Sequence, residues 1–168
     1  MSFRIAAASS ADVPAILRLI RGLAEYERLA HEVVATEAEL RESLFGARPA
    51  AEVLLAWPEA AVDAHPVGFA LFFSNYSTFL AKAGIYLEDL FVMPSLRGQG
   101  LGAALFQRVA QIAVERNAGR MEWAVLNWNE PALQFYRKQG ATPMSEWTVQ
   151  RLTGAALRRV GANPATRP

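Results

Sequence analysis

The chain contains no cysteine, which excludes disulfides, thiolate zinc sites and a cysteine nucleophile. Histidine is almost absent: His31 and His65 are the whole supply, and two imidazoles make no metal cluster by themselves. Neither sign of charge is in excess, with 17 Lys plus Arg against 16 Asp plus Glu. No long-range field therefore gathers nucleic acid or an anionic membrane, and any charge-driven binding is local. Long hydrophobic runs are missing too. Met1 to Ala8 carries one Arg and a short apolar stretch that soon meets Ser9, Ser10 and Asp12, too brief for a signal peptide or a membrane span. The expectation is a cytoplasmic protein with no nucleic-acid or membrane partner. There is no internal repeat, and no Pro/Gly-rich linker before the last few residues. One domain over residues 3–160 is expected, with a loose tail at 161–168 that holds two prolines.

What remains is 168 residues, 52% of them hydrophobic, enough for one domain with a sizeable core. Phe3 to Ala8 reads as a first strand. Ser9 or Ser10 then offers an N-cap to a helix with Pro14 in its opening turns and an apolar stripe of Ile16, Leu17, Ile20, Leu23 and Ala24. The stripe runs on to Tyr26 and turns polar at Glu27. Thr36 with Glu39 forms a capping-box pattern ahead of a second helix ending near Gly46. Val53 to Trp57, His65 to Phe73 and Ile85 to Met93 read as neighbouring antiparallel strands. A helix follows the glycines at 98, 100 and 102, with Leu101, Leu105, Val109, Ile112 and Ala113 inward. Met121 to Leu126 is expected as a further strand. Asn129 is an N-cap, Pro131 an early-turn proline and Gly140 the end of a helix carrying Phe135 and Tyr136. Trp147 to Leu152 is expected as the last strand.

The most informative stretch is YLEDLFVMPSLRGQGLGAA, residues 86–104. A strand runs through a proline-marked turn into a glycine-rich loop that opens a helix. Unpaired N–H groups at a helix N-terminus carry partial positive charge and hold a pyrophosphate without any specific side chain. Gly98, Gly100 and Gly102 let the backbone come close to phosphates, and Arg97 adds a charge-assisted contact. Glycines at this spacing also serve simply to shape a tight turn. A P-loop needs Lys then Ser or Thr where Ala103 and Ala104 stand, and a Rossmann fingerprint needs the first strand–helix unit of a parallel sheet. Both are disfavoured.

Arg97 to Gly102, with Gln99 and Leu101 between the glycines, resembles the R-x-x-G-x-G motif by which GNAT acetyltransferases hold the pyrophosphate of acetyl-CoA. The similarity extends to YLEDLFVM at 86–93, WNEPALQFYRKQGA at 128–141 and LRLIRGLAEYE at 17–27. Together these blocks look like the diamine acetyltransferase branch, which includes spermidine/spermine and thialysine N-acetyltransferases. The resemblance covers roughly residues 3–152. It implies an α/β (α+β) fold: a mixed, mostly antiparallel sheet with helices on both faces and a strand, glycine-loop, helix site for acetyl-CoA, with no metal. It implies that the backbone at Leu90, Phe91 and Val92 meets the acetyl and pantetheine portion, and that Ala103, Asn129, Tyr136 and Lys138 join Arg97 to Gly102 around the cofactor. It also implies a homodimer.

A primary alkyl amine with a Lys-like pKa of ~10.4 is protonated at neutral pH and must lose a proton before it attacks a thioester. The resemblance implies Glu88 for that task, through water, and Tyr136 as the acid that protonates the departing thiolate. Strand alternation puts Glu88 and Asp89 on opposite faces. Their apolar neighbours Leu87, Leu90, Phe91 and Val92 favour a raised pKa on at least one of the two. Without the resemblance, Tyr136 reads as core packing and Glu88 as a salt-bridged or edge-exposed acid. Arg137 and Lys138 serve either adenosine phosphates or a solvated surface.

A substrate with extra positive charge is steered by carboxylates, and the candidates are Glu27, Glu88, Asp89 and Glu146, with Tyr26 and Trp147 for its methylene chain or cation. The chain departs from spermidine-acetylating members at Thr142 to Glu146, at Glu122 and at Asn75 to Lys82. The substrate expected is therefore a small (di)amine or amino-acid-like compound, without a decision between them. The alternatives are a protein or peptide N-acetyltransferase and a non-catalytic CoA-binding sensor.

Overall fold

A computed structural model describes residues 2–59 and 65–162, and the chain divides into two compact units, Met1–Ala124 and Val125–Pro168. The first unit is built on a five-stranded sheet in the order β1 (Phe3–Ala7), β2 (Glu52–Pro58), β3 (Gly68–Ser77), β4 (Lys82–Val92) and β5 (Met121–Glu122). The first four strands are antiparallel neighbours, as expected for β2 to β4, and β1 adds to the edge at β2. β5 joins β4 in parallel. A parallel join needs a crossover, and α3 (Leu101–Glu115) supplies it.

The sheet buries both faces, and the period of two sorts its residues between them. Val53, Leu55, Phe69 and Phe91 pack with Ile16 and Leu19 of α1 (Val13–Tyr26) and Leu44 of α2 (Glu37–Phe45). The other face carries α3, whose Leu101, Leu105 and Val109 are fully buried. A Cβ on Gly68 would lie 3.3 Å from Leu105, so helix and sheet approach closely there. α2 starts where its capping box is written: Glu39 N–H donates to Thr36 Oγ1 at 3.3 Å, and Thr36 N–H donates to Glu39 Oε2 at 2.9 Å.

β5 is shorter than the expected 121–126. Only Ile85 with Met121 and Tyr86 with Glu122 pair, after which Trp123 turns to meet Phe106 edge-on with ring centroids 5.2 Å apart. Side chains reinforce this short ladder. Asn75 Nδ2 on β3 reaches Glu122 Oε2 at 2.8 Å, and Arg120 Nε bonds the same oxygen at 2.8 Å. Asn75 pairs with Gly84, and a Cβ on Gly84 would fall 2.3 Å from Asn75 Oδ1. Only glycine leaves room for that bond to cross β4.

The second unit holds α4 (Glu130–Lys138) and α5 (Gly154–Ala162). Asn129 caps α4 by accepting from Ala132 N–H at 3.3 Å, and Gly140 follows its end with φ +86°. The strand expected at 147–152 does not form: residues 141–153 are irregular, and Trp147, Val149 and Leu152 are exposed. Alternating apolar residues make a strand only where a neighbour satisfies the backbone, and among the described residues none pairs with this segment. α5 has no counterpart in the sequence reading. It takes in Gly161 and Ala162, the start of the expected tail, while 163–168 lie outside the described residues. No helix among the described residues is long and apolar enough to cross a membrane.

Candidate functional site

The expected residues of the first unit gather around the far end of β4. Beyond Tyr86 the strand keeps β3 on one side and loses β5 on the other, so among the described residues no strand pairs with the edge from Leu87 to Phe91, and the Val92 carbonyl accepts from Arg97. Met93 leads into a single 3-10 turn, Pro94–Leu96, and then into the glycine loop. Gly98 and Gly100 have φ +76° and +84°, a conformation that side chains other than glycine's resist. Gly100 is the N-cap of α3 and has no side chain with which to cap it. The first-turn N–H groups of Leu101, Gly102 and Ala103 are therefore left for an anion. A Cβ on Gly102 would make only ordinary contact, 3.8 Å from Val92. Its smallness matters toward a ligand and not toward the protein. This loop fits a pyrophosphate, and the open strand edge fits an amide-bearing arm.

Arg97 is tied back onto the fold. Its Nε donates to the Val92 carbonyl at 3.1 Å, and its guanidinium lies 4.1 Å over the Tyr26 ring and 5.7 Å from that of Phe91. A cation on an aromatic face is attracted by the ring quadrupole, so Arg97 links the glycine loop to the end of α1, where Tyr26 and Glu27 stand.

The charges of Glu27 and Glu88 also act on Asp89 here. β3 and β4 slip register between Leu71 and Phe72: Leu71 faces Asp89, Phe72 faces Leu87, and Glu88 faces no residue. This is a β-bulge, which re-aims the side chains on either side of it. The strict alternation expected for Glu88 and Asp89 is interrupted at this point. Glu88 is exposed and Asp89 half-buried, opposite Leu71. Burial, then the charge of Glu88, then that of Glu27 push the Asp89 carboxyl up to about 7. Glu27, at the C-cap of α1, is raised by its own burial. The raised acid expected on this strand is thus Asp89. Among the described residues no group of three acids or histidines is placed to hold a metal.

In the second unit Asn129 is buried, Tyr136 lies on α4 with its ring 5.1 Å from that of Phe135, and Lys138 is exposed. Arg137 pairs with Glu130 at 3.1 Å, which favours the surface reading of that arginine. Glu146 and Trp147 are exposed in the irregular segment.

The model of the acetyltransferase (GNAT) family matches residues 20–141. The chain belongs to the GNAT acetyltransferase family. It is 36% identical to the L-ornithine N5-acetyltransferase NATA1 of Arabidopsis thaliana, over 95% of this chain and 88% of that one. It is 37% identical to the thialysine N-epsilon-acetyltransferase of Mus musculus, over 95% and 97%. Among solved structures, an integron cassette protein from the mobile metagenome of V. cholerae superposes with TM-score 0.79 at 24% identity, covering 97% of this chain and 99% of that one. That likeness shows the fold. The protein is an acetyltransferase of the mixed α/β GNAT architecture, and the match takes in the glycine loop, β4 and α4 together.

Two features escape a sequence reading. The bulge at Glu88 leaves no mark in composition or periodicity. The Asn75–Glu122 crossing has one signal, a glycine inside a strand pattern, which marks close approach of other groups.

Proposed function

We propose that this acetyltransferase uses acetyl-CoA to acetylate a primary amine of a small, cationic substrate, a diamine or an amino-acid-like compound. One juxtaposition carries the proposal: the same end of β4 that opens into the uncapped α3 N-terminus also bears Glu88 and Asp89, with Glu27 beside them. The first feature suits a pyrophosphate, the second an ammonium group with a further positive charge. The names of the ornithine and thialysine acetyltransferases support the same substrate class. Acetyl-CoA supplies an activated acyl carbon and a thiolate leaving group. Arg97 and the N–H groups of Leu101 to Ala103 hold its phosphates, and the edge of Leu90 to Val92 orients the arm that carries the thioester. A carboxylate of β4 frees the amine of its proton. In the role implied by the resemblance this is Glu88 acting through water, and Tyr136 protonates the sulfur. The resemblance assigns Tyr26, Glu146 and Trp147 to the amine and Asn129 and Lys138 to the cofactor. A homodimer belongs to this reading.

A thiol-release assay with acetyl-CoA against ornithine, thialysine, lysine, putrescine, spermidine and a peptide amine tests it. Turnover confined to the small cationic amines is expected. Turnover on the peptide alone makes the protein a peptide acetyltransferase, and acetyl-CoA binding without any turnover makes it a sensor.

A further inference from the structure

We infer, within the acetyl-transfer reading above on which this rests, that Tyr26 is a positioning residue for acetyl-CoA: its ring holds the Arg97 guanidinium in place for the cofactor's phosphates. Tyr26 thereby moves from the amine, where the resemblance puts it, to the other partner in the reaction. An arginine on an exposed loop samples many rotamers, and an anion that captures it must stop that motion, which costs affinity. Arg97 is exposed and directly follows the 3-10 turn Pro94–Leu96, yet two contacts fix it. Its Nε donates to the Val92 carbonyl at 3.1 Å, and its Cζ lies over the Tyr26 ring, 4.1 Å from the centroid. Among the described residues no protein group accepts from its two terminal nitrogens. The donors that suit a phosphate are left for a ligand.

The ring is a firm platform. Tyr26 is the last residue of α1 and is half-buried against the core cluster that contains Phe91. Gly22, one turn earlier on the same side of the helix, brings α1 close to β4: a Cβ there would lie 3.2 Å from the Phe91 ring. Phe91 in turn lies 5.7 Å from Arg97 Cζ. The core thus fixes the two rings, and the rings fix an arginine that belongs to the loop. A cationic amine seeking the same face of Tyr26 would meet the charge of Arg97 already there. The ring therefore serves the phosphates through Arg97 and does not read the amine.

Calorimetric titration of acetyl-CoA into wild type, Tyr26→Leu, Tyr26→Phe, Arg97→Ala and the double variant Tyr26→Leu/Arg97→Ala tests the assignment. Tyr26→Leu removes the attraction of the ring and frees a long side chain, so it should weaken binding about 3- to 10-fold. Tyr26→Phe keeps the ring and should keep the affinity. In the Arg97→Ala background the leucine substitution should change Kd by less than about 2-fold, because Tyr26 acts only through Arg97. Kinetics should follow, with KM for acetyl-CoA raised in Tyr26→Leu while kcat and KM for the amine hold. Equal weakening in both backgrounds overturns the inference, as does a raised KM for the amine with acetyl-CoA affinity unchanged. A further readout needs no substitution at Tyr26. In the free protein the Arg97 Nε–H resonance, identified by its loss in Arg97→Lys, should lie upfield of the solvated arginines and exchange slowly with water. An Arg97 resonance that falls among those of the solvated arginines overturns the inference while leaving acetyl transfer standing. Wild-type protein that binds no acetyl-CoA overturns the functional reading itself, and the inference with it.

Discussion

From Lys82 to Tyr86, β4 pairs with β3 on one side; on the other, Ile85 and Tyr86 pair with the short β5 and the Ala83 carbonyl accepts from Gly119 N–H, while Asn75 crosses the strand at Gly84 to bond Glu122. From Leu87 to Val92 the same strand has β3 on one side only, carries the bulge at Glu88 and runs into the glycine loop. The two halves share one backbone and have opposite economies of hydrogen bonding. The lower half satisfies its polar groups within the protein, while the upper half leaves main-chain groups, a carboxyl and a helix N-terminus to be met from outside. A strand becomes a site where its ladder stops, and the lower half fixes where that happens.

Substitutions in the two halves should therefore fail differently. The largest effect is expected at Asp89, where Asn stabilises the fold in alkali. The folded carboxyl holds its proton up to about 7 against 3.8 when unfolded. Its burial is accordingly tolerated below pH ~4, becomes steadily more costly up to pH 7 and levels off above that. At pH 8 the Asn variant should exceed wild type by up to about 4 kcal/mol in urea unfolding, with little difference at pH 4. A variant equally stable at both pH values would remove the buried acid from the account.

Arg97→Ala comes next. Loss of its charged contacts should weaken acetyl-CoA binding ~10- to 100-fold by calorimetry, corresponding to about 1.5–3 kcal/mol. Gly84→Ala, in the lower half, should cost ~1–3 kcal/mol of stability because the new methyl meets Asn75 Oδ1, with acetyl-CoA affinity unchanged. If it weakens the cofactor as much as Arg97→Ala does, the two halves are not separable. Glu122→Gln should have the smallest effect, ~0.5–1 kcal/mol, since it keeps an acceptor for Asn75 and loses only a part-exposed pair with Arg120.

The parts of the fold legible from sequence were those governed by local rules. Thr36 with Glu39, Asn129 with Pro131, and the stripe from Leu101 to Ala113 each marked a helix, and the antiparallel order of β2 to β4 followed from apolar runs and turns. Elements that depend on a neighbour were less legible. Trp147 to Leu152 alternates like a strand but has none beside it among the described residues, and 123–126 leaves the sheet because Trp123 has Phe106 to pack on. The site shows the same division. The glycine loop could be located from spacing, whereas the separation of Glu88 from Asp89 depends on a one-residue slip against β3 that no pattern within β4 announces. Arg97 was placed at the phosphates for its charge, and its stacking on Tyr26 is a contact between residues 71 positions apart.

The most direct test is an amide NMR titration of the protein with acetyl-CoA. The account predicts large shifts for Leu87 to Val92 and for Arg97 to Ala104, and little change for Lys82 to Ile85, Arg120 and Glu122. Shifts confined to the lower half, or none at the glycine loop at saturating ligand, would contradict it.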